Sequence, residues 1–564
     1  MRKAWVLLLA GLALILGGAY LANRIQTSGG IKVDDVRFAG ADGVVMSGLL
    51  YTPKTATPDK PAPGILAVHG YINSRETQDG FAIEFARRGY VVLAMDQTGH
   101  GYSGGAAFSQ GFGGPAGLTY LRSLPMVDKA NIGLEGHSMG GWTVLAAAAA
   151  MPDAYKAIVL EGSSTGAPFA AEGSPTWPRN LGLVFSQYDE FSKIMWHVDR
   201  AKDVTSSAKL KAVFGTQDTI VPGKIYGQIE AGTARRLTTP ATTHPGDHFS
   251  TVAIGDSLDW FSKTLTGGTP LPVTDQIWIW KEVGTGLGLI GFALLLLGTF
   301  AVLLNLPIFA GLRHAPVASH AARDRAWWRR FWTMALVPIV TLFPAFILVT
   351  LFVKPSSLLP QTISNQILAW VAINTVITLV LGRFGRKSPD TGHHNWGPAA
   401  LIAVLTVGIG YGVVAATAHL FTTDLRFWVV ALKPFSPHQW QVVPVYLVGL
   451  TVFFLVALRA LHAQLAIRGD GAIKTYVSAI GAMALGFLLF LGLDYGIFFA
   501  TGTLPTGFDP LTTVIAIQFL PLMSLVAIVS VFSWRRTNSY VPGALICALF
   551  VTWYLVAGTA THIV

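Results

Sequence analysis

Cysteine and charge are what this chain lacks. Cys547 is the lone cysteine among 564 residues, so no disulfide can form within the chain and its globular part must hold together by packing. Asp, Glu, Lys and Arg together make up only 12% of the residues, about half the share usual in soluble proteins. With 52% hydrophobic residues and a mean hydropathy of +0.51, much of the chain is suited to lipid. The net charge of +10 invites a nucleic-acid reading, but the positions of the charges argue against one. Much of the excess sits in short loops between apolar runs, as membrane topology requires. One apolar run covers 4–22 and the others follow residue 282. The residues between them have ordinary globular composition and are numerous enough for one domain with a sizeable core.

The N-terminus reads Met1-Arg2-Lys3 and then runs apolar from Ala4 to Ala22. As a helix that run is about 28 Å long, enough to cross a bilayer core. It is long for a cleaved signal, and Tyr20 and Leu21 stand where small residues are wanted, so it reads as an uncleaved anchor. After residue 282 the hydropathy predicts eight more spans, near 283–305, 331–353, 361–382, 398–420, 440–461, 475–500, 511–533 and 541–561. With the N-terminus inside, the inner segments 1–3, 306–330, 383–397, 459–474 and 534–540 carry 2, 5, 3, 3 and 2 Lys and Arg. The short outer loops hold only Lys354, Arg426 and Lys433. This alternation supports span count and orientation together. Arg24 and Lys281 run mildly against it. The division that follows is an anchor over 1–29, an extracytoplasmic domain over 30–266, a Gly/Pro-rich linker over 267–282 and a membrane domain over 283–564.

Within 30–266 the pattern is α/β. "VDDVRFAGADGVVMSGLLYTP" (33–53) alternates around Asp42-Gly43, which is hairpin chemistry. "GILAVHGY", "YVVLAMD", "NIGLEG" and "KAIVLEG" are nearly continuous apolar runs, as in strands buried on both faces. Helical patterns fall between them: "DGFAIEFARRG" has Phe81 and Phe85 four apart and closes at Gly89. Strands alternating with helices predict a mostly parallel sheet with helices on both faces, beside an all-α transmembrane bundle.

Gly136-His137-Ser138-Met139-Gly140 fits G-x-S-x-G between a buried strand and an Ala-rich helix. A nucleophile on a tight strand-to-helix turn needs neighbours two residues away without bulk. The following helix offers a free backbone N–H at Met139 and its positive dipole end to an oxyanion.

With "VHGY" after one strand, "DQTGHGYSGG" after the next and then "GHSMGG", residues 31–265 resemble the α/β-hydrolases. "GHGYS" after Asp96 is similar to the monoglyceride-lipase and serine-aminopeptidase branch. The resemblance implies oxyanion donors at the backbones of Tyr71 and Met139. It makes His69 and His100 loop-shaping residues; neither has a partner at metal-ligand spacing. It also implies an acid and then a histidine downstream of the serine. "TTPATTHPGDHFS" offers His244, just beyond a strand end, and His248, against a helix start; His244 is preferred. Two segments offer the acid. "NLGLVFSQYDE" gives Asp189 and "KLKAVFGTQDTIVP" gives Asp218. The run before Asp218 also reads as a helix with a serine cap and Gly215 at its end, and "VPGKIYGQIEAGTARRL" as a hairpin, so Asp189 is preferred with Asp218 as the alternative.

These residues lead to the expectation of a membrane-embedded serine hydrolase acting on a lipid or other small acyl ester outside the membrane, needing neither metal nor cofactor. A peptidase of the same fold, or a transporter with a hydrolase-like ligand-binding domain, are the alternatives. In the bundle, Asp494 near an outer span end is a functional candidate, or else pairs with Arg426 or a histidine. His419 is a weaker one. Trp327, Trp328, Trp440, Trp534 and Tyr540 sit where interfacial anchors are expected.

Overall fold

The computed structural model describes residues 2–318, 320–384 and 394–563. After α1 (Arg2–Gln26) come β1 (Lys32–Ala39) and β2 (Val45–Thr52), paired antiparallel around Asp42 and Gly43, which both have positive φ. Then follow β3 (Ala62–Val68), α2 (Asp79–Arg87), β4 (Val91–Met95), α3 (Gly114–Ser123), β5 (Val127–His137), α4 (Met139–Ala150), β6 (Ala157–Glu161) and β7 (Leu181–Val184). Short helices α5 (Ser192–Trp196) and α6 (Ala208–Phe214) precede β8 (Ile225–Tyr226), β9 (Arg235–Thr238) and α7 (Thr251–Thr264). The nine strands form one sheet in the order β1-β2-β4-β3-β5-β6-β7-β9-β8. All pairs from β4 to β9 are parallel.

The apolar runs divide by a period of two. Leu66 and Val68 of β3 face one core with α3, α4 and α6, while Ile65 and Ala67 face the other with α2 and α7. The segment before Asp218 is a helix: Ser207 caps α6 by accepting from Leu210 N–H, and Gly215 ends it at φ +65°. β8 and β9 pair antiparallel.

The remaining helices are α8 (Ile279–Leu303), α9 (Arg325–Phe352), α10 (Thr362–Phe384), α11 (Trp396–Phe421), α12 (Pro437–Leu465), α13 (Ala472–Thr501), α14 (Pro510–Thr537) and α15 (Val541–Gly558). A small hairpin, β10 (Leu425–Phe427) and β11 (Val430–Leu432), joins α11 to α12. Among the described residues nine helices, α1 included, are long and apolar enough to cross a membrane. Much of the expected inner loop 383–397 (residues 385–393) lies outside the described residues.

Four details depart from the sequence reading. The linker stops short of 282, because α8 begins at Ile279 and its approach is pinned to α2: Ile277 and Trp278 N–H donate to Glu84. Asp494 does not pair with Arg426; its carboxylate accepts from Thr506 Oγ1 at 2.8 Å. Trp327 and Trp534 are not surface anchors: Trp327 is buried with its indole donating to Leu465 O, and Trp534 stacks on His462. Trp328 and Trp440 do stand exposed, as does His419. Finally, α1 is not a separate tether. A Cβ on Gly18 would lie 2.2 Å from Gly284 O, and one on Gly298 would lie 2.3 Å from Leu8 N. The two helices run antiparallel in backbone contact, the close approach that small residues permit between membrane helices.

Candidate active site

Ser138 sits between the end of β5 and the start of α4 with φ +54° and ψ −120°. A non-glycine residue in this region is strained, and the surroundings enforce it. Its N–H donates to Glu161 O at 2.8 Å. A Cβ on Gly136 would lie 2.2 Å from Gly140 O, and one on Gly140 would lie 2.0 Å from Val68 O. Both glycines of G-x-S-x-G are therefore sterically required. The Gly70–Tyr71 turn after β3 lies alongside, for a Cβ on Gly70 would stand 3.1 Å from Ser138 Cβ. This brings the loop that carries Tyr71 against the turn that carries Ser138 and Met139.

His244, on the loop after β9, has Nδ1 2.8 Å from Asp189 Oδ2, on the loop after β7. Both side chains are buried. Burial alone would lower the His244 pKa, but the charge and hydrogen bond of Asp189 outweigh it and hold the imidazole above its usual 6.5. Gly162, at φ +51°, floors the pair: a Cβ there would lie 2.8 Å from His244 Nδ1 and 3.1 Å from Asp189 Oδ2. The Ser138 hydroxyl makes no hydrogen bond to the His244 ring, a looser arrangement of the kind that substrate tightens. The alternatives lie elsewhere. Asp218 is exposed in the turn after α6, its own N–H donating to Thr216. His248 packs its buried ring on His137 and Phe81, neither nitrogen has a partner, and burial lowers its pKa to about 3.

His69 and His100 bond backbone. His69 Nδ1 contacts Gly70 O at 2.7 Å and its Nε2 accepts from Gln97 N–H. His100 Nδ1 contacts Thr98 O. Asp96 ties the same loops together by accepting from the backbones of Arg75 and Tyr102 at 2.8 and 3.0 Å. Among the described residues no cluster of His, Cys, Asp or Glu could hold a metal.

A family model described as serine aminopeptidase, S33, matches residues 59–188, the stretch from β3 through Ser138 to the edge of Asp189. The chain carries an α/β-hydrolase fold. A curated monoacylglycerol lipase of Mycolicibacterium smegmatis is 32% identical over 138 residues, 23% of this chain and 46% of that protein. The chain thus spans about half the length of this curated relative. An esterase of Pyrococcus furiosus is 20% identical with a TM-score of 0.30, covering 42% of this chain and 94% of its own. A carboxyl esterase of Bacillus coagulans is 21% identical with a TM-score of 0.21, covering 24% and 45%.

Sequence reasoning missed a set of contacts between this hydrolase domain and the bundle. Glu190 receives the His244 N–H on Oε2 and the Tyr495 hydroxyl of α13 on Oε1, both at 2.8 Å. Burial, and then the charge of Asp189, raise the Glu190 carboxyl to about 7. Trp428, in the β10–β11 turn, donates from its indole to Pro245 O at 2.7 Å. The Tyr71 hydroxyl meets His562 Nε2 at 3.1 Å. Arg426 donates to Ser74 and Thr77 while paired with Asp424. The β10–β11 hairpin thus holds both the loop after Tyr71 and the loop carrying His244, while α13 holds the loop carrying Asp189. His137, the x of the motif, braces the base loop as well, its Nε2 standing 2.9 Å from His244 O. No local pattern marks these partners; a neighbouring pair of carboxylates at Asp189-Glu190 was the only sequence cue.

Proposed function

We propose that the chain is a membrane-embedded serine hydrolase that cleaves an acyl ester, with Ser138, His244 and Asp189 as its triad. The observation that carries this reading is the strained Ser138 elbow standing beside a buried, hydrogen-bonded His244–Asp189 pair. Ser138 Oγ attacks the ester carbonyl and its proton passes to His244 Nε2. Asp189 accepts from Nδ1–H, fixing the tautomer and stabilising the imidazolium. The Tyr71 and Met139 N–H groups bind the oxyanion. Collapse expels the alcohol with the proton from His244, and water then releases the acid by the same steps reversed. The loop charges and the antiparallel pairing of α1 with α8 support an extracytoplasmic site. Lys281, which ran against that bias, forms a buried ion pair with Asp79 of α2 and so contributes no free charge. The kinship with a monoacylglycerol lipase and the site's seat on the bundle favour an ester of lipid character over a peptide.

A fluorophosphonate probe on the detergent-solubilised full chain tests the reading. Ser138 is expected to be labelled, and the Ser138→Ala and Asp189→Asn variants to lose labelling while Asp218→Asn keeps it. A wild-type chain that stays unlabelled while control hydrolases react would refute the enzyme.

A further inference from the structure

The end of the bundle away from the hydrolase domain is hollow. A cavity of about 900 Å³ lies between α9, α10, α12 and α13, within the size range of sites that enclose a small-molecule ligand. Met483 of α13 is in its wall, whereas Tyr495, further along the same helix, reaches the hydrolase domain at Glu190. The hollow has a cause in the sequence. α12 contributes Ala457, Ala460 and Ala463 to the wall, and side chains this small leave the space open. Opposite them stand Met334 and Val337 of α9 and Ile377 and Leu381 of α10. The cavity is closed at depth by Trp370, Phe453, Phe487 and Met523. Trp370 is fixed there, its indole donating to Pro338 O at 2.8 Å and its ring stacked on Phe519. Between Gly382 at the mouth and Trp370, α10 rises about 18 Å, a little over half the hydrocarbon thickness of a bilayer.

Polar side chains in the wall are largely spent on their own helices. Thr333 Oγ1 donates to Arg329 O, Thr378 Oγ1 to Asn374 O, and Asn374 Nδ2 to Trp370 O and Thr341 Oγ1. The mouth differs. Arg329 and Arg330 line it, and among the described residues no acceptor takes either guanidinium. Asp324, the carboxylate of the lining, is engaged as the N-cap of α9, accepting from Trp327 N–H at 2.7 Å. His320 has Nε2 3.0 Å from Ala463 O. Trp328 and Trp332, which flank the two arginines in sequence and lie outside the lining, are 43% and 40% exposed. Exposed indoles at a span end mark the level of lipid headgroups. Guanidinium forks match phosphate oxygens. Two of them over a mostly apolar shaft suit a ligand with a phosphate at one end and hydrocarbon at the other.

We propose that this cavity binds an anionic phospholipid of the adjoining leaflet, its phosphate at Arg329 and Arg330 and one acyl chain lying between α10 and α12 as far as Trp370. The flanking indoles and the leaflet-like depth favour a lipid over a soluble phosphate ester, and basic pockets between membrane helices are a recurring seat for anionic headgroups. The occupant lies at the opposite end of the bundle from Ser138. It is a resident lipid and not the ester that is cleaved. The proposal rests on the membrane-spanning reading of the bundle and is independent of the hydrolase reading.

Photocrosslinking of the full chain in phosphatidylcholine nanodiscs tests it, with a trace of phosphatidylglycerol bearing a diazirine in its acyl chain and the matching phosphatidylcholine probe as control. A chain that does not enter nanodiscs overturns the membrane reading, and the proposal with it. Crosslinks from the phosphatidylglycerol probe are expected on the peptides around Ile377 and Ala457, about fivefold or more above those from the control. Equal labelling by the two probes overturns the headgroup assignment, and labelling confined to the outer faces of the helices overturns the cavity. In the wild-type chain, unlabelled phosphatidylglycerol is expected to suppress these crosslinks. Suppression by glycerol 3-phosphate overturns the lipid in favour of a soluble phosphate ester. Arg329→Gln with Arg330→Gln is expected to bring the phosphatidylglycerol probe down to the control level, and Ala460→Phe, which fills the cavity, to remove crosslinks from both. Crosslinks that survive these changes overturn the proposal, whether or not Ser138 reacts with fluorophosphonate.

Discussion

Along β3 every side chain from Ala62 to Val68 is buried, whereas along α9 Val340, Leu351 and Phe352 stand 72, 67 and 76% exposed. The sheet domain completes its core with its own helices. The bundle does not: its apolar faces are far larger than a soluble protein leaves open, as expected of helices long and apolar enough to cross a membrane. The two regions also use glycine differently. Around Ser138 glycine makes room for a strained turn; between α1 and α8 it lets two backbones touch. Two packing logics meet at one seam, and polar contacts hold that seam: Asp79 with Lys281, Glu190 with Tyr495, Pro245 with Trp428. The difference teaches that the loops carrying the proposed triad belong structurally to both halves.

The largest expected effect lies wholly on the sheet side of the seam. Asp189→Asn removes the acceptor of His244 Nδ1–H and leaves the wrong tautomer, so kcat for ester hydrolysis is expected to fall by about 10⁴, while Asp218→Asn leaves it unchanged. The pH profile carries a second mark. His244 must be neutral to accept the Ser138 proton, and Asp189 holds its pKa above 6.5. The acid limb of kcat/KM is therefore expected above that value in the wild type. A limb well below it would dissociate the His244–Asp189 pair from the chemistry.

Next is the seam itself. Lys281→Met strands Asp79, 2% exposed, with only the Tyr51 hydroxyl as partner. Breaking a buried pair on one side costs roughly 3–5 kcal/mol. A clear drop in the unfolding midpoint of the detergent-solubilised chain is expected, with Asp79→Asn in the same chain recovering most of it. No drop would show that the two halves do not depend on this pair.

What could be read from sequence follows the same division. The elbow, the Asp42-Gly43 hairpin and the capped helix before Gly215 were legible because each is written in adjacent residues: a turn that needs positive φ, a period, a cap. So were the spans, since length and hydropathy suffice. The two competing aspartates could be ranked only because a helix pattern lay in front of Asp218. The seam was illegible. Glu190 and Tyr495 are 305 residues apart and Pro245 and Trp428 183 apart, and neither pair has a local signature. Trp327 and Trp534 misled for a related reason: depth in the bundle, not type, decides whether an indole meets lipid headgroups or a neighbouring carbonyl.

Within the bundle, Gly291→Leu tests whether α1 is a working member of it. A Cβ there would lie 2.7 Å from Gly11 O, while one on Gly17 meets nothing within 4 Å. Overpacking of this kind costs about 1–3 kcal/mol. The midpoint is expected to fall for Gly291→Leu and to hold for Gly17→Leu. Equal behaviour of the two would return α1 to the role of a simple tether.

The smallest effect is the most direct probe of the seam's catalytic meaning. Tyr495→Phe removes a single hydrogen bond to Glu190, worth about 1 kcal/mol, so kcat is expected to fall by less than tenfold. The sign of the pH effect is the sharper observable. Glu190 lies near 7, and the Tyr495 hydroxyl is one of the groups that lower it. Without that donor the Glu190 carboxyl stays neutral to higher pH. A neutral Glu190 no longer supports the positive charge of His244, which its carboxylate otherwise favours. The acid limb of kcat/KM is therefore expected to move to lower pH by a fraction of a unit, although the variant has gained no charge and lost no catalytic group. A limb that stays in place would reduce the Tyr495 contact to packing and leave the base tuned by the sheet domain alone.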